Sequence, residues 1–108
     1  MPECKQAEIW WADLPAPAGR RPVLVLTRDQ IIHRLTNVTV APLTKTIRGI
    51  ESEVQLSTAD GVPTECVISL DNILTIPKTR LQRRIITLSS PRMKEVFKAV
   101  RFAFAMPG

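Results

Sequence analysis

Short apolar runs, each broken by a proline or glycine, constrain this chain more than any other feature. Nine prolines are spread through the 108 residues, mostly near the ends of these runs. Proline fixes its own backbone angle and lacks an amide hydrogen, so it interrupts helices and central strands. Until the last 20 residues, no run is both long and periodic enough for an extended helix. The pattern therefore predicts a protein built mainly from short strands.

Six segments are predicted to be strands. The segment 22–27 is continuous and rich in valine and leucine, which is typical of a buried strand. Between the fourth and fifth strands, Asp60-Gly61 predicts a hairpin turn. We expect a connector with one helical turn at residues 29–34 and a short turn at 71–76. The predicted strands are residues 7–14, 22–27, 36–43, 51–57, 65–69 and 83–88.

The C-terminal segment is predicted to be an amphipathic helix. Ser90 suits the position before a helix, and Pro91 suits its first turn. Apolar residues recur at helical spacing along one face and basic residues take the other. The sequence predicts one domain over residues 1–108, mainly β with α (an α+β fold). In it, antiparallel strands curl into a small barrel that the helix closes. The apolar positions are Met93, Val96, Phe97, Val100 and Phe104, and the basic ones are Lys94, Lys98 and Arg101.

Composition indicates a soluble cytoplasmic protein without a membrane partner. Hydrophobic residues make up 44% of the chain, enough for a core. No run approaches the roughly 18 apolar residues of a membrane span. The first residues lack the apolar stretch of a signal peptide.

The charge is unevenly distributed. The net charge is +5, and residues 76–108 carry eight basic groups and one acidic group. Residues 41–75 carry two basic and five acidic groups. A basic segment of this kind favours a polyanion or an acidic protein as partner. Ordinary solvated lysines and arginines are an equally good explanation of the charge alone.

The cysteines and the single histidine point away from metal or histidine chemistry. Cys4 and Cys66 lie far apart, whereas metal ligands usually come in close pairs. We expect free or structural thiols, since the cytosol disfavours a disulfide. We predict no metal site and no cofactor. His33 is the only histidine, so a two-histidine mechanism within one chain is excluded, although two subunits could supply two copies. It lies on a connector, where a surface histidine is expected.

Two motifs place polar groups where predicted strands meet loops. Arg21 lies in Gly19-Arg20-Arg21-Pro22, and Thr44 ends Val38-Thr39-Val40-Ala41-Pro42-Leu43-Thr44. If both side chains lie over one cleft, they could hold a phosphate and act on a neighbouring hydroxyl. The alternative is an arginine in a surface ion pair and an ordinary turn threonine.

These motifs, with several others in order, resemble the MazF/PemK toxins of bacterial toxin–antitoxin systems. The strand beginning at Gly19 is similar to the family's Gly-x-Arg-Pro strand, and Pro42-Leu43-Thr44 resembles its Pro-x-Thr segment. The resemblance covers nearly the whole length. The other matching segments are Glu8-Ile9-Trp10, Asp60-Gly61-Val62, Asp71-Asn72-Ile73 and Thr79-Arg80-Leu81.

The resemblance implies an SH3-like barrel, a homodimer, and metal-independent, sequence-specific cleavage of single-stranded RNA by attack of a 2′-hydroxyl. It also implies that Arg21 and Thr44 are the catalytic pair. A basic cleft further predicts a cognate antitoxin with an acidic tail.

Trp10 and Trp11 could stack on bases, but strand alternation places one of them in the core. The candidate RNA contacts are Arg20, Lys45, Arg48, Arg80 and Trp10.

Two positions depart from the family pattern. Ala7 stands where the family usually has glycine, and residues 15–20 lack the carboxylate that some members carry. Arginine almost never loses its proton, so Arg21 suits phosphate binding better than proton removal. The general base is not identified. The alternatives are a gyrase-poisoning toxin of the same fold, like the CcdB toxins, and an inactive RNA-binding relative.

Overall fold

Seven strands and two α-helices follow one another in the computed structural model, which describes residues 3–107. Three 3-10 turns, at Thr58–Asp60, Leu70–Asn72 and Lys78–Arg80, join some of them. The strands are β1 (Glu8–Leu14), β2 (Gly19–Val25), β3 (Asn37–Thr44), β4 (Glu53–Leu56), β5 (Cys66–Ser69), β6 (Leu74–Pro77) and β7 (Leu81–Thr87), and the helices are α1 (Asp29–Ile32) and α2 (Ser90–Ala103).

The strands form one antiparallel sheet in the order β4-β5-β3-β2-β1-β7, with β6 also paired to β3. Strand β3 changes partners along its length. Its first half, from Asn37 to Val40, pairs with β6, whereas Leu43 and Thr44 pair with β5. The end of β3 is therefore the point where the sheet turns from one set of strands to the other.

The mainly β fold with a C-terminal helix is confirmed, but the sheet is not closed by hydrogen bonds into a barrel. Strands β4 and β7 end the ladder and do not pair with each other within residues 3–107. Helix α2 packs against β4. Its Val96 joins Leu56 of β4 and Ile86 of β7 in one apolar cluster. Side chains of the helix thus connect the two edges, in place of a continuous backbone ladder.

Two apolar clusters lie on opposite faces of the β1–β3 region. Along β2, Leu24 belongs to the first cluster, whereas Val23 and Val25 belong to the second. This alternation follows from the two-residue repeat of a strand. The first cluster includes α2, β4 and β5, and the second includes the buried residue of α1, Ile32. Both faces of the central strands are covered, which explains their continuous apolar sequence.

Two local predictions are confirmed in part. The short turn expected within 71–76 is present as the 3-10 turn Leu70–Asn72, but Leu74–Pro77 forms β6, whose Ile76 is buried against the second cluster. The turn predicted at Asp60-Gly61 is also present and joins β4 to its antiparallel partner β5, but the connection is longer than a tight hairpin, because the ladder resumes only at Cys66. The predicted helical turn at α1 is confirmed. Helix α2 has Ser89 rather than Ser90 as its N-cap.

The turn after β4 is fixed to helix α2 by an ion pair. Arg92 Nε and Nη2 donate to the two carboxylate oxygens of Asp60 at 3.0 and 3.1 Å. The hydrogen bonds from Arg92 lower the pKa of Asp60. At the next residue, Gly61 has φ +95°, and a Cβ there would lie 2.6 Å from Ile86 Cγ2. Glycine is therefore required for this turn to rest on β7.

None of the helices in the described part of the chain is long and apolar enough to cross a membrane.

Candidate active site

Arg21 and Thr44 lie at the same end of the sheet. The antiparallel ladder between β2 and β3 ends at the pair Val23 and Pro42, and Thr44 itself pairs with Val67 of β5. Arg21 and Thr44 each lie two residues beyond the last β2–β3 pair, and both line the same two clefts. Strand alternation also gives both side chains the same orientation as Val23 and Pro42. The sequence motifs thus meet at the point where β2 begins and β3 ends.

The guanidinium of Arg21 is only partly engaged by the protein. Its Nη2 donates to the carbonyl of Ala18 in the β1–β2 loop at a long 3.3 Å. Its Nε is buried and has no hydrogen-bond partner among the described residues. None of the ion pairs within residues 3–107 includes Arg21. The expected alternative, a surface ion pair, is therefore not what this arginine forms, and most of its donors remain free for an anion.

Two clefts meet at this pair of residues. The first, of about 380 Å³, lies on the face of the sheet that carries Trp11, Pro22 and Leu43. The second, of about 500 Å³, lies on the face that carries Leu14, Pro42 and Leu74. Arg21, Thr44 and Thr46 line both clefts. Each volume falls in the range of roughly 300–1,000 Å³ that is usual for small-ligand sites.

Strands β1 and β2 build one wall of the first cleft, and β7 lies beside β1 in the sheet. The guanidinium carbon of Arg20 on β2 lies 4.3 Å from the ring centre of Trp11 on β1. Trp11 pairs with Pro22, so Arg20 is its diagonal neighbour on the same face. Arg20 Nε donates to Gln82 Oε1 of β7 at 2.8 Å. The arginine is therefore held over the indole ring.

The loop between β3 and β4 supplies the other cations and is held by Glu53. Lys45 lines the first cleft and Arg48 the second. The Oε1 atom of Glu53 accepts hydrogen bonds from the backbone amides of Arg48 and Gly49, both at 3.0 Å. Gly49 has φ +71°, a left-handed conformation that glycine adopts without strain. One carboxylate thus fixes the tight part of the loop beside the cleft.

The side chain of Thr44 has one local partner. Its Oγ1 accepts a hydrogen bond from the backbone amide of Thr46 at 3.2 Å. This leaves its hydroxyl proton available as a donor, since a hydroxyl both donates and accepts. The pair therefore presents a cationic fork and a hydroxyl donor, and both types of group suit phosphate oxygens.

Two sequence candidates, Trp10 and Arg80, lie outside the clefts, as does His33. Trp10 is buried, with its Nε1 donating to Glu8 Oε1 at 3.0 Å, which corrects its prediction as a stacking residue. Trp11 is the tryptophan that lines a cleft. Arg80 lines neither cleft and pairs with Asp13 at 3.3 Å. His33 is exposed at the end of α1, also away from both clefts.

Sequence reasoning missed two residues of the site. Glu53 and Gln82 act on the backbone of a loop and on another side chain, respectively, so neither belongs to a recognisable motif. The only sequence signal for Glu53 is the glycine at 49, which marks a tight loop that needs a partner for its amides.

The two cysteines are free and buried in different clusters. Cys4 belongs to the second cluster and Cys66 to the first, where it also lines the first cleft. Burial raises the pKa of both thiols. Within residues 3–107, no three side chains of histidine, cysteine, aspartate or glutamate form a group that could hold a metal ion.

The comparisons with known proteins agree with the fold. Residues 5–104 match the model of the PemK-like, MazF-like toxins of type II toxin–antitoxin systems. A probable endoribonuclease of Mycobacterium tuberculosis, MazF2, is 44% identical over 98 residues, which cover 90% of this chain and 94% of the relative.

Solved structures give the same result. The Mycobacterium tuberculosis toxin MazF-mt6 superposes with a TM-score of 0.86 at 39% identity and covers 94% of this chain and 99% of its own. An endoribonuclease from a mycobacterial species, solved in complex with its cognate antitoxin, has the same fold, with a TM-score of 0.88 at 22% identity, and covers 98% of this chain and 99% of its own. The chain belongs to the PemK/MazF family of type II toxins, and the predicted resemblance is confirmed.

Proposed function

We propose that this protein is the toxin of a type II toxin–antitoxin system and acts as an endoribonuclease. It cleaves single-stranded RNA at specific sequences without a metal ion and so inhibits translation and growth. One observation carries the proposal: Arg21, with free and partly buried donors, and Thr44 line the same two clefts. The endoribonuclease names of the relatives also support a nuclease rather than a gyrase poison.

The chemistry needs an anion holder near a hydroxyl. A 2′-hydroxyl attacks the adjacent phosphorus, the P–O5′ bond breaks, and the products are a 2′,3′-cyclic phosphate and a free 5′-hydroxyl. Arg21 stabilises the extra negative charge of the pentacoordinate phosphorane. The Thr44 hydroxyl donates a hydrogen bond to a phosphate oxygen and helps to hold the phosphate in place. Both groups act in a partly desolvated cleft, where such interactions are stronger than in water.

The two clefts suit the nucleotides on either side of the cut. Because Arg21 and Thr44 line both clefts, a phosphate bound between them would have one neighbouring nucleotide in each. Lys45 and Arg48 lie on the same two sides and would contact the flanking backbone. Differences between the linings of the two clefts then select the bases.

The direct experiment is to incubate the purified protein with end-labelled RNA in the presence of a chelator. We expect discrete fragments with 2′,3′-cyclic phosphate ends. Arg21→Ala and Thr44→Val should each lower kcat by at least about a hundredfold, as the loss of one oxyanion donor does in other enzymes. Arg34→Ala, an exposed arginine on the α1 connector, is the matched control and should cleave normally. The absence of cleavage by the wild-type protein would refute the proposal.

The cognate antitoxin is proposed to cover this site with an acidic segment. The clefts carry Arg20, Arg21, Lys45 and Arg48 but a single carboxylate, Glu53, which is already bonded to the loop. An acidic chain would be attracted to such a surface, and salt would weaken the attraction. We expect toxin–antitoxin affinity to fall as ionic strength rises, and an affinity independent of salt would contradict this account.

We also propose a homodimer that works in the cytoplasm, where RNA and the antitoxin are present. Helix α2 exposes large apolar side chains at Phe97 and Phe102, and its C-cap residue Phe104 is exposed beside them, so a second copy would cover all three. Sedimentation at several protein concentrations measures the dimer, and Phe102→Glu should weaken it.

A further inference from the structure

We propose that Trp11 and Arg20 form a stacking platform for one RNA base, with the guanidinium as the outer layer and Gln82 fixing its plane. This inference rests on the proposed function, since it assigns a task within the same site. Arg20 was predicted only as a cation that contacts RNA. The geometry points to recognition through the flat face of this residue instead.

The platform exists before any ligand binds. The guanidinium carbon of Arg20 lies 4.3 Å from the centre of the Trp11 ring, within the range of a cation–π contact. Its Nε donates to Gln82 Oε1 at 2.8 Å, so the guanidinium has little freedom to turn. The three residues come from three neighbouring strands, β2, β1 and β7. A rigid sheet therefore supports each layer of the stack.

The side of Arg20 away from Trp11 is open to solvent. Trp11 is half-buried beneath the guanidinium, whereas Arg20 is exposed. A planar cation stacks well on an aromatic base, and arginine planes commonly bind unpaired bases of single-stranded RNA in this way. The Nε edge already has a partner in Gln82, which leaves the outer face as the main free surface.

The position of the platform matches the proposed path of the RNA. Trp11 and Arg20 line the first cleft together with Arg21 and Thr44. A base stacked on Arg20 would thus belong to a nucleotide next to the phosphate held by Arg21. Stacking accepts any base, so the platform contributes affinity and orientation, while hydrogen-bonding groups elsewhere in the cleft select the sequence.

The test compares two arginine substitutions with a binding assay that does not depend on cleavage. The probe is a mixed-sequence 2′-O-methyl RNA oligonucleotide, whose blocked 2′-oxygens cannot attack the phosphate. Arg20→Lys keeps the charge but loses the plane, and should bind at least about fivefold more weakly, as the loss of one stacked base predicts. The dependence of its affinity on salt should stay the same, because the charge is retained. Gln82→Ala should weaken binding in the same direction.

Fluorescence reports the contact itself. The chain has two tryptophans, and Trp10 is buried. Binding of the oligonucleotide should change the emission of the wild-type protein, and this change should disappear in Trp11→Phe, which keeps an aromatic ring. Circular dichroism checks the fold of each variant, and Arg34→Lys is the matched control.

The outcomes separate the two proposals. If Arg20→Lys binds like the wild type, or if Trp11→Phe retains the full fluorescence change, the platform is refuted even when the protein cleaves RNA. If the probe binds with the expected fluorescence change but unmodified RNA is not cut, the nuclease proposal is refuted and the platform stands.

Discussion

Removing Glu53 should weaken RNA binding, although the change also removes a negative charge from a site for a polyanion. The carboxylate accepts two backbone hydrogen bonds, from Arg48 and Gly49, both at 3.0 Å. Electrostatics alone predicts that Glu53→Ala binds RNA more tightly. The loop geometry predicts the opposite, because the loop would lose the contact that orders Arg48 beside the second cleft.

The magnitude follows from the two bonds. Hydrogen bonds to a charged group contribute about 1.5–3 kcal/mol each when buried. These two are exposed, so about 0.5–1 kcal/mol each is a better value, in line with exposed ionic contacts. A sum of about 1–2 kcal/mol corresponds to a factor of about 5–30 in the population of the ordered loop. KM for RNA should therefore rise by up to about 30-fold, while kcat changes little, since the loop binds rather than reacts.

The assay is steady-state cleavage of a fluorogenic RNA that contains the preferred site. Glu53→Gln keeps the acceptor oxygen without its charge and should give an intermediate KM, because neutral acceptors are about half as strong. Glu51→Ala is the matched control. It removes the same charge from an exposed position two residues earlier, and its KM should stay equal or fall. If the KM of Glu53→Ala is no higher than that of Glu51→Ala, the positioning role is refuted.

Three further predictions concern stability and are measured by urea denaturation. Gly61→Ala should lower the free energy of unfolding by about 2–5 kcal/mol, because left-handed strain and overpacking add together. Gly19→Ala, at φ +66° with open space around it, should lower it by the strain alone, about 1–2 kcal/mol. Equal losses would show that the close contact at Gly61 is relieved without destabilising the fold. The pKa of Asp60 is lowered in the folded protein, so its ionised carboxylate adds to the free energy of unfolding above the unfolded pKa of about 3.9. This stabilisation is lost as the pH falls through the folded pKa. The stability difference between wild type and Asp60→Asn should thus be constant above pH of about 5 and shrink below it, and a difference that grows in acid would contradict the Arg92 pairing. Ala7 has φ +77°, so Ala7→Gly should be neutral or stabilise by up to about 1 kcal/mol, and a clear loss would contradict the strain.

Much of the fold could be predicted because its signals are local. The apolar runs gave β1, β2 and β3 to within three residues at each end, and the periodicity of the last segment gave α2. Strand β6 was missed because Leu74–Pro77 is short, ends in proline and follows a 3-10 turn. Its pairing with β3 is a contact between distant segments, which no local pattern reveals. Within residues 3–107, β4 and β7 stay unpaired with each other, and this likewise depends on where helix α2 packs.

The site was predicted in part. The meeting of Arg21 and Thr44 could be expected because two strand ends carried family motifs, and the strand register explains it physically. Trp10 rather than Trp11 was named as the RNA contact, and its burial contradicts this, since alternation tells that two neighbours face opposite ways but not which way is inward. Glu53 and Gln82 were missed because their effect is on the orientation of other groups.

The separation of the two cysteines gives this protein a pair of internal chemical reporters. Each core cluster contains one free thiol, Cys4 in the second and Cys66 in the first. A buried thiol reacts with a labelling reagent only when its surroundings open, so the two labelling rates measure local opening in each half of the molecule separately. Cys66 also borders the first cleft. Occupation of that cleft should therefore slow labelling at Cys66 more than at Cys4, and thiol chemistry can follow ligand binding without any added probe.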